Sequence, residues 1–458
     1  MNTLIKKLAL VLTVLLALNS CEEFTEVDLP ESQLASTSVF ENESIARAAL
    51  ASIYAQMRER GFVSGTTIGG TLLLSSYSDD LDFYGNNLDI QQFSNHTVLA
   101  SNLFLNELWA SGYTQIYATN ALLEGVEKST SISTEVKNQL IGEALFLRSL
   151  IHFYLANLFG SIPYVTTTDY KLNSTINKTL EHDVYGLILS DLQYSESLVS
   201  AAYPSIDRVR VNKATVTALE ARLYLYIGNW SDAESAATAI IQNPLYAWQP
   251  DVSQVFLKDS PSIIWSLHPG IAGLNTNDAR TFAASDGPPT ESLLSTNLYD
   301  EFELGDLRKT MWIKTVADGA NTYHQAYKYK NYSSTTVSEE YTIVFRLAEQ
   351  YLIRSEARAK LGNISGAQED LNMIRHRAGL SDTNASTPAD LLTAIIKERR
   401  SELFTEQGDR WLDLKRTGTA ASALSFLKSG WRATDVLLPI PNKELLLNGN
   451  LLPQNSGY

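Results

Sequence analysis

The stretch from Thr134 to Phe159 constrains the fold most. Leu140, Ala144, Leu147, Ile151, Leu155 and Leu158 recur at three- and four-residue spacing, which predicts a helix over Thr134–Phe159. Ile141, Phe146, Leu150 and Phe153 lie off that stripe. A helix that is apolar on more than one face must be sandwiched between other helices. It is not a membrane span, because Glu143, Arg148, His152 and Asn157 interrupt the run. The chain therefore has to build a layered helical body.

Periodicity supplies the other layers. Helices are expected at about Glu43–Arg58, Asn102–Lys128, Glu181–Ser200, Asn212–Gly228, Ser231–Gln242, Thr342–Leu361, Ser365–Ala378 and Pro388–Glu406. Two segments echo one another. Glu220-Ala221-Arg222 precedes Gly228-Asn229-Trp230-Ser231-Asp232-Ala233, and Glu356-Ala357-Arg358 precedes Gly362-Asn363-Ile364-Ser365-Gly366-Ala367. Each reads as a helix stopped at Gly, a short turn, a Ser cap and an Ala where two helices touch. This is tetratricopeptide-like hairpin grammar, with shared helix–turn–helix chemistry as the plainer alternative. Residues 61–101 and 243–340 lack the helical period and read as loop, with short β-like runs at Ile263-Ile264-Trp265 and an aromatic stretch from Tyr323 to Tyr332. Irregular segments this long are expected to serve function. The C-terminus reads as an extended tail containing Pro.

The N-terminus predicts an address. Lys6 and Lys7 precede the apolar run Leu8–Leu18 and then Leu18-Asn19-Ser20-Cys21, a lipobox around the only cysteine of the 458 residues. Residues 1–20 are expected to be a cleaved lipoprotein signal, Cys21 the lipidation site, and 21–41 a flexible acidic tether. Such a tether spans up to roughly 65 Å when extended. The formal charge of −15, less the two leader lysines, leaves −17, which disfavours nucleic acid and anionic lipid. Membrane attachment would then rest on the acyl chains.

Chemistry-bearing patterns are sparse. No His-Glu-x-x-His, Cys pair or EF-hand spacing suggests a metal, and no cofactor loop or Gly-x-Ser-x-Gly elbow occurs. Paired carboxylates could serve a glycosidase. Asp79-Asp80 fits turn chemistry better, however, and Glu398, Glu402, Glu406 and Asp413 are interleaved with Arg399, Arg400, Arg410 and Arg416, as in a structural ion-pair network. No catalytic residue is assigned, and an enzyme is not expected.

Four motifs carry a family resemblance. Glu143-Ala-Leu-Phe-Leu-Arg148, continuing through Tyr154 to Phe159-Gly160-Ser161-Ile162-Pro163-Tyr164-Val165, resembles the first hallmark of the SusD/RagB family of outer-membrane nutrient-binding lipoproteins. Arg346-Leu-Ala-Glu349 with Tyr351-Leu352 and Glu356-Ala357 resembles the second. Glu398-Arg-Arg400, Glu402-Leu403-Phe404, Gly408 and Arg410-Trp-Leu-Asp413-Leu-Lys-Arg416 resemble the third. Leu438-Pro-Ile-Pro441, Glu444-Leu445 and Gln454-Asn455-Ser456-Gly457-Tyr458 resemble the fourth, although Asn448-Gly449 stands where Asn-Pro is usual and Ser456 where Pro is.

The resemblance implies a mostly α fold, with tetratricopeptide-like helical hairpins and long loops and small β elements forming the ligand surface. It implies an N-terminal SusD-like helical region over 42–242 and a C-terminal RagB/SusD region over 243–458 with its loop-rich insert at 243–340. It further implies a cell-surface lipoprotein of the outer membrane that captures glycan and delivers it to a SusC-like TonB-dependent barrel. A peptide ligand within the family, or a protein-only helical-repeat adaptor, are the alternatives. Sugar rings stack their C–H faces on Tyr or Trp, so Tyr84, Trp312 and Tyr323 in the irregular segments are the expected ligand contacts, with Asn86 and Asn87 as polar partners.

Overall fold

The computed structural model describes residue 40, residues 42–283 and residues 291–458. The expected signal, Cys21 and all of the tether except residue 40 lie outside the described residues. The first block comprises α1 (Glu43–Glu59), α2 (Gly70–Tyr77), β1 (Leu81–Phe83), α3 (Leu88–Asn95), α4 (Leu103–Lys128), α5 (Thr134–Phe159), α6 (Tyr170–Asn173) and α7 (Glu181–Leu198). Next come α8 (Lys213–Tyr226), α9 (Trp230–Ile241), β2 (Ile263–Leu267), α10 (Asn277–Phe282), β3 (Ser292–Leu294), α11 (Thr296–Glu301), α12 (Leu307–Met311), β4 (Ile313–Asp318) and β5 (Asn321–Ala326). The last block is β6 (Thr342–Arg346), α13 (Leu347–Lys360), α14 (Ile364–Arg377), α15 (Pro388–Leu403), α16 (Asp409–Arg416), α17 (Ala420–Leu424) and α18 (Asn442–Leu447).

The helices stack in series. α5 lies between α4 and α7, α9 bridges α8 and α13, and α13 packs on α14 and α15. Every residue of α5 from Gln139 to Phe159 is buried, as a helix apolar on several faces requires. Both echoed segments are hairpins. Ala233 and Ala367 are buried without measurable exposure, so the small side chain does permit close approach. The cap differs from the expectation: Asn229 and Asn363, not the serines, stand at the N-cap, and the Asn363 side chain accepts from Gly366 N.

Three expectations from periodicity are corrected. Residues 61–101 and 243–340 are not all loop, since α2 and α3 lie in the first and α10, α11 and α12 in the second. Leu72, Leu73 and Leu74 of α2 are all buried, so no polar face marks the helix, and its start rests against the Phe62 and Ser64 backbone. A Cβ on Gly69 would come within 2.1 Å of Ser64 O, and one on Gly70 within 2.3 Å of Phe62 O. Thr342–Arg346 is a strand rather than the start of a helix. This β-branched and aromatic run pairs antiparallel with β2, and both strands are buried throughout. The tail carries α18, and it is docked by amides: Gln454 bonds both N and O of Ile440, while Asn455 Nδ2 donates to Phe159 O and Leu438 O. Among the described residues, no helix is long and apolar enough to cross a membrane.

Candidate ligand-binding site

Two small antiparallel sheets build the site. β1 pairs with β3 in the register Leu81↔Leu294 to Phe83↔Ser292, and β4 pairs with β5 from Ile313↔Ala326 to Asp318↔Asn321. β3 packs on β5, which brings the end of β1 beside the middle of β5. Tyr84 follows β1, with its N–H donating to Glu291 O at 2.7 Å, and is 48 % exposed. Tyr323 of β5 is half-buried. Their rings meet edge to face, 5.7 Å between centroids at 84°. Two residues 239 positions apart thus form one aromatic step facing solvent.

Side chains alternate along a strand, so His324 points to the opposite face of β5 from Tyr323. There it stacks on Tyr299 of α11, centroids 3.4 Å apart and 5° from parallel, and Lys309 Nζ lies 3.9 Å from the Tyr299 centroid. Desolvation and then the Lys309 charge hold the His324 pKa below its usual range, opposed by Asp300. The neutral ring therefore backs the strand that presents Tyr323. Sequence reasoning missed Tyr299 and His324; their only signal was aromatic density in an irregular segment.

The sheets are fixed to the helical body by acids that could have been mistaken for catalytic groups. Asp79 takes a two-pronged bond from Arg410 at 2.7 and 2.8 Å, and its carbonyl accepts from Arg400 at 2.9 Å. Burial alone would raise the Asp79 pKa, but Arg410 and Arg400 outweigh it and the carboxyl sits below the usual range. Asp80 is raised by burial, against Arg400, and its carbonyl accepts from Ser295 N at 2.9 Å. Ser295 Oγ donates to Asp79 O at 2.6 Å and caps α11. Asp79-Asp80 therefore ties β1 and the start of α11 to α15 and α16. Among the described residues no cluster of three or more His, Cys, Asp or Glu side chains is placed to hold a metal.

The remaining sequence-predicted contacts divide. Asn86 is exposed beside Tyr84. Asn87 is half-buried and caps α3, its side-chain oxygen accepting from Asp89 N at 3.0 Å and Ile90 N at 3.3 Å. Trp312 is corrected outright. It is 1 % exposed, its indole N–H donates to Val252 O at 2.9 Å, and its ring meets Phe256 edge to face at 5.2 Å. It closes the C-terminus of α12, where an indole turned inward fills the core, so no ligand can stack on it.

The family profile described as "Starch-binding associating with outer membrane" matches residues 25–225, and that described as "SusD family" matches residues 308–458. The chain belongs to the SusD/RagB family. SusD-like protein P25 of Formosa agariphila is 24 % identical, over 96 % of this chain and 97 % of its own. A SusD superfamily protein from Bacteroides vulgatus superposes with TM-score 0.80 at 21 % identity, covering 92 % of this chain and 100 % of that one. A laminarin-binding SusD-like protein superposes with TM-score 0.76 at 26 % identity, covering 91 % and 100 %. The mostly helical architecture with small sheets is thus the SusD fold.

Proposed function

We propose that this SusD/RagB protein is a lipid-anchored outer-membrane receptor that captures a glycan on the Tyr84–Tyr323 step and passes it to a TonB-dependent barrel. The observation that carries the reading is that pair: two rings from distant segments, one of them half-exposed, on sheets braced by buried ion pairs. Exposed aromatic edges and faces suit sugar C–H surfaces. Asn86 and the amide nitrogen of Asn87 supply hydrogen bonds to hydroxyls; the Asn87 oxygen is committed to its helix cap. The laminarin-binding relative makes a β-glucan the first ligand to try. The chain's own part is binding, since the paired carboxylates Asp79 and Asp80 behind the step are engaged by arginines in a structural network.

Affinity electrophoresis through laminarin and other polysaccharides tests this, with a hydrolysis assay beside it. Tyr84→Ala and Tyr323→Ala are each expected to weaken binding about 10- to 100-fold, about 1–3 kcal/mol for a lost stacking surface, with little change in melting temperature for Tyr84. Undiminished retention of both variants would remove the step as the site. Release of reducing ends would instead make the protein an enzyme.

Cys21→Ala is expected to move the protein from the outer-membrane fraction to the soluble one with its fold intact. A body at −17 has no electrostatic substitute for acyl chains. A variant that still sediments with membranes freed of partner proteins would overturn the anchor.

A further inference from the structure

One side of α4 carries three rings, at Trp109, Tyr113 and Tyr117. Residues four apart are neighbours on a helix surface, so the three form a single row about 12 Å long. Trp109 and Tyr113 meet with centroids 5.0 Å apart, and Phe159 of α5 braces the indole edge to face at 4.9 Å. The Tyr113 hydroxyl donates to Pro163 O at 3.0 Å, which fixes its ring. Tyr117 ends the row and is 54 % exposed. The row walls a cleft of about 430 Å³ that α6 and α18 close from the other side, a volume within the ~300–1,000 Å³ of ordinary ligand pockets.

The polar atoms left over in this cleft are acceptors. Asn173 spends its Nδ2 on Thr167 O at 2.8 Å, which leaves its Oδ1. Ser174 spends its hydroxyl proton on Lys171 O at 3.2 Å, which leaves the oxygen lone pairs. Asn448 is committed on both sides, its Oδ1 accepting from Asn450 N at 3.0 Å and its Nδ2 donating to Ile176 O at 2.8 Å. The half-buried Glu444 carboxylate of α18 has no hydrogen-bond or ion-pair partner among the described residues. Burial, and then the Glu444 charge, hold the Tyr113 pKa well above its usual range, so that carboxylate stands close to the row of rings.

Several acceptors on two elements, facing a row of rings, specify the occupant. A hydrocarbon would leave the Glu444 charge desolvated and unpaired. An anion would be repelled by it, and a lone ammonium would satisfy Glu444 without reaching both Asn173 and Ser174. A pyranose offers an apolar C–H face to the rings and several O–H donors around its edge. The larger cleft that α18 also borders, about 580 Å³, lacks this chemistry: Arg432 donates to Asp435 and Gly457 O, Gln454 holds Ile440, and the His96 ring is stacked on Tyr77 at 3.8 Å. We propose that the α4–α18 cleft is a second, weaker sugar site, holding a short run of uncharged pyranose units with Tyr117 as the open stacking face and Glu444, Asn173 and Ser174 as hydroxyl acceptors. It shares no residue with the Tyr84–Tyr323 step. The inference takes its ligand class from the reading above and adds a place where a glycan held at the step is gripped again.

Saturation-transfer NMR on the intact lipoprotein in detergent tests the cleft, with a hexasaccharide of each polysaccharide in the retention series, laminarihexaose first. The background is Tyr84→Ala/Tyr323→Ala, which lacks the step; Tyr84→Ala alone gives the same comparison without touching half-buried Tyr323. Transfer to the sugar is expected to persist there. Adding Tyr117→Ala should weaken the remaining affinity at least about tenfold with the melting temperature unchanged, since that ring is exposed. Glu444→Gln, which keeps the shape and removes the charge, should weaken it about threefold or more. No transfer on the background while wild type still binds overturns the cleft and leaves the proposed function standing. Residual binding that ignores both Tyr117→Ala and Glu444→Gln lies elsewhere on the protein and also overturns it. Background binding as tight as that of wild type, and lost with Tyr117→Ala, supports the cleft and removes the step instead. Wild-type protein that binds no hexasaccharide refutes the glycan reading itself, and the cleft with it.

Discussion

Trp312→Ala is expected to lower folding stability by about 3–5 kcal/mol, the usual cost of emptying a large buried aromatic site. Three losses coincide there. The indole leaves a void against Phe256, Val252 O loses its donor, and two cations lose a π face: Lys328 Nζ lies 5.2 Å from the ring centroid and the Arg377 guanidinium 5.6 Å. Lys328 is fully buried, and burial pushes its pKa down to about 8 even though Glu406 pulls it back up. Removing the ring beside it thus uncovers a cation already costly to keep charged. Urea unfolding should show a lower midpoint with unchanged slope, and Trp312→Phe should recover part of the loss. Glycan affinity of the folded fraction should stay within about threefold of wild type. Normal stability with lost affinity would return Trp312 to the ligand surface and refute its role as core.

The difference between Trp312 and Tyr84 shows what the sequence made legible. Both are aromatics in irregular segments, and composition treats them alike. Burial separates them, and burial depends on partners distant in sequence: Val252 and Phe256 enclose the indole, whereas Tyr84 meets Tyr323 across two sheets. The helices were legible because their periodicity is local. Thr134–Phe159 has the expected bounds, and the α8–α9 and α13–α14 turns fall where Gly-Asn marks them. α2 was not legible, because a short helix buried on every side has no amphipathic signature, nor was β6, whose strand run leads directly into a helix.

The ion-pair network was legible as a network and not as a set of pairs. Asp413 does pair with Arg399 at 2.6 Å and Arg416 at 2.8 Å, both near it in sequence. Arg400 and Arg410 instead reach back to Asp79 and Asp80, over 300 positions away. Those long-range bonds join the sheets that bear the aromatic step to the helices of the third hallmark. They explain how a motif without a pocket still supports one.

Glu402→Ala should be as damaging as the loss of Trp312. Glu402 of α15 is fully buried and accepts from three arginines: Arg308 at 3.1 Å, and Arg346 and Arg377 through its other oxygen. Arg377 has two further nitrogens, Nε and Nη1, that are buried without a hydrogen-bond partner, so the carboxylate is its main compensation. Deleting one member of a buried pair leaves the opposite charge uncompensated, at about 3–5 kcal/mol. The partly exposed Arg358–Glu234 pair gives the contrast, since Glu234→Ala should cost under ~1 kcal/mol. Burial would raise the Glu402 pKa, but Arg377, Arg346 and Arg308 outweigh it and hold the carboxyl far below its ordinary value. A depressed carboxyl stabilises the fold in full above the unfolded-state pKa, about 4.3 for Glu, and that stability drains away as the pH falls toward the folded-state value. Unfolding free energy measured from pH 7 to pH 3 should therefore decline more steeply in wild type than in Glu402→Ala, the two curves converging in acid. Parallel curves, or a variant as stable as wild type at pH 7, would mean that the three arginines are neutralised by other groups and that Glu402 does not hold this end of the fold together.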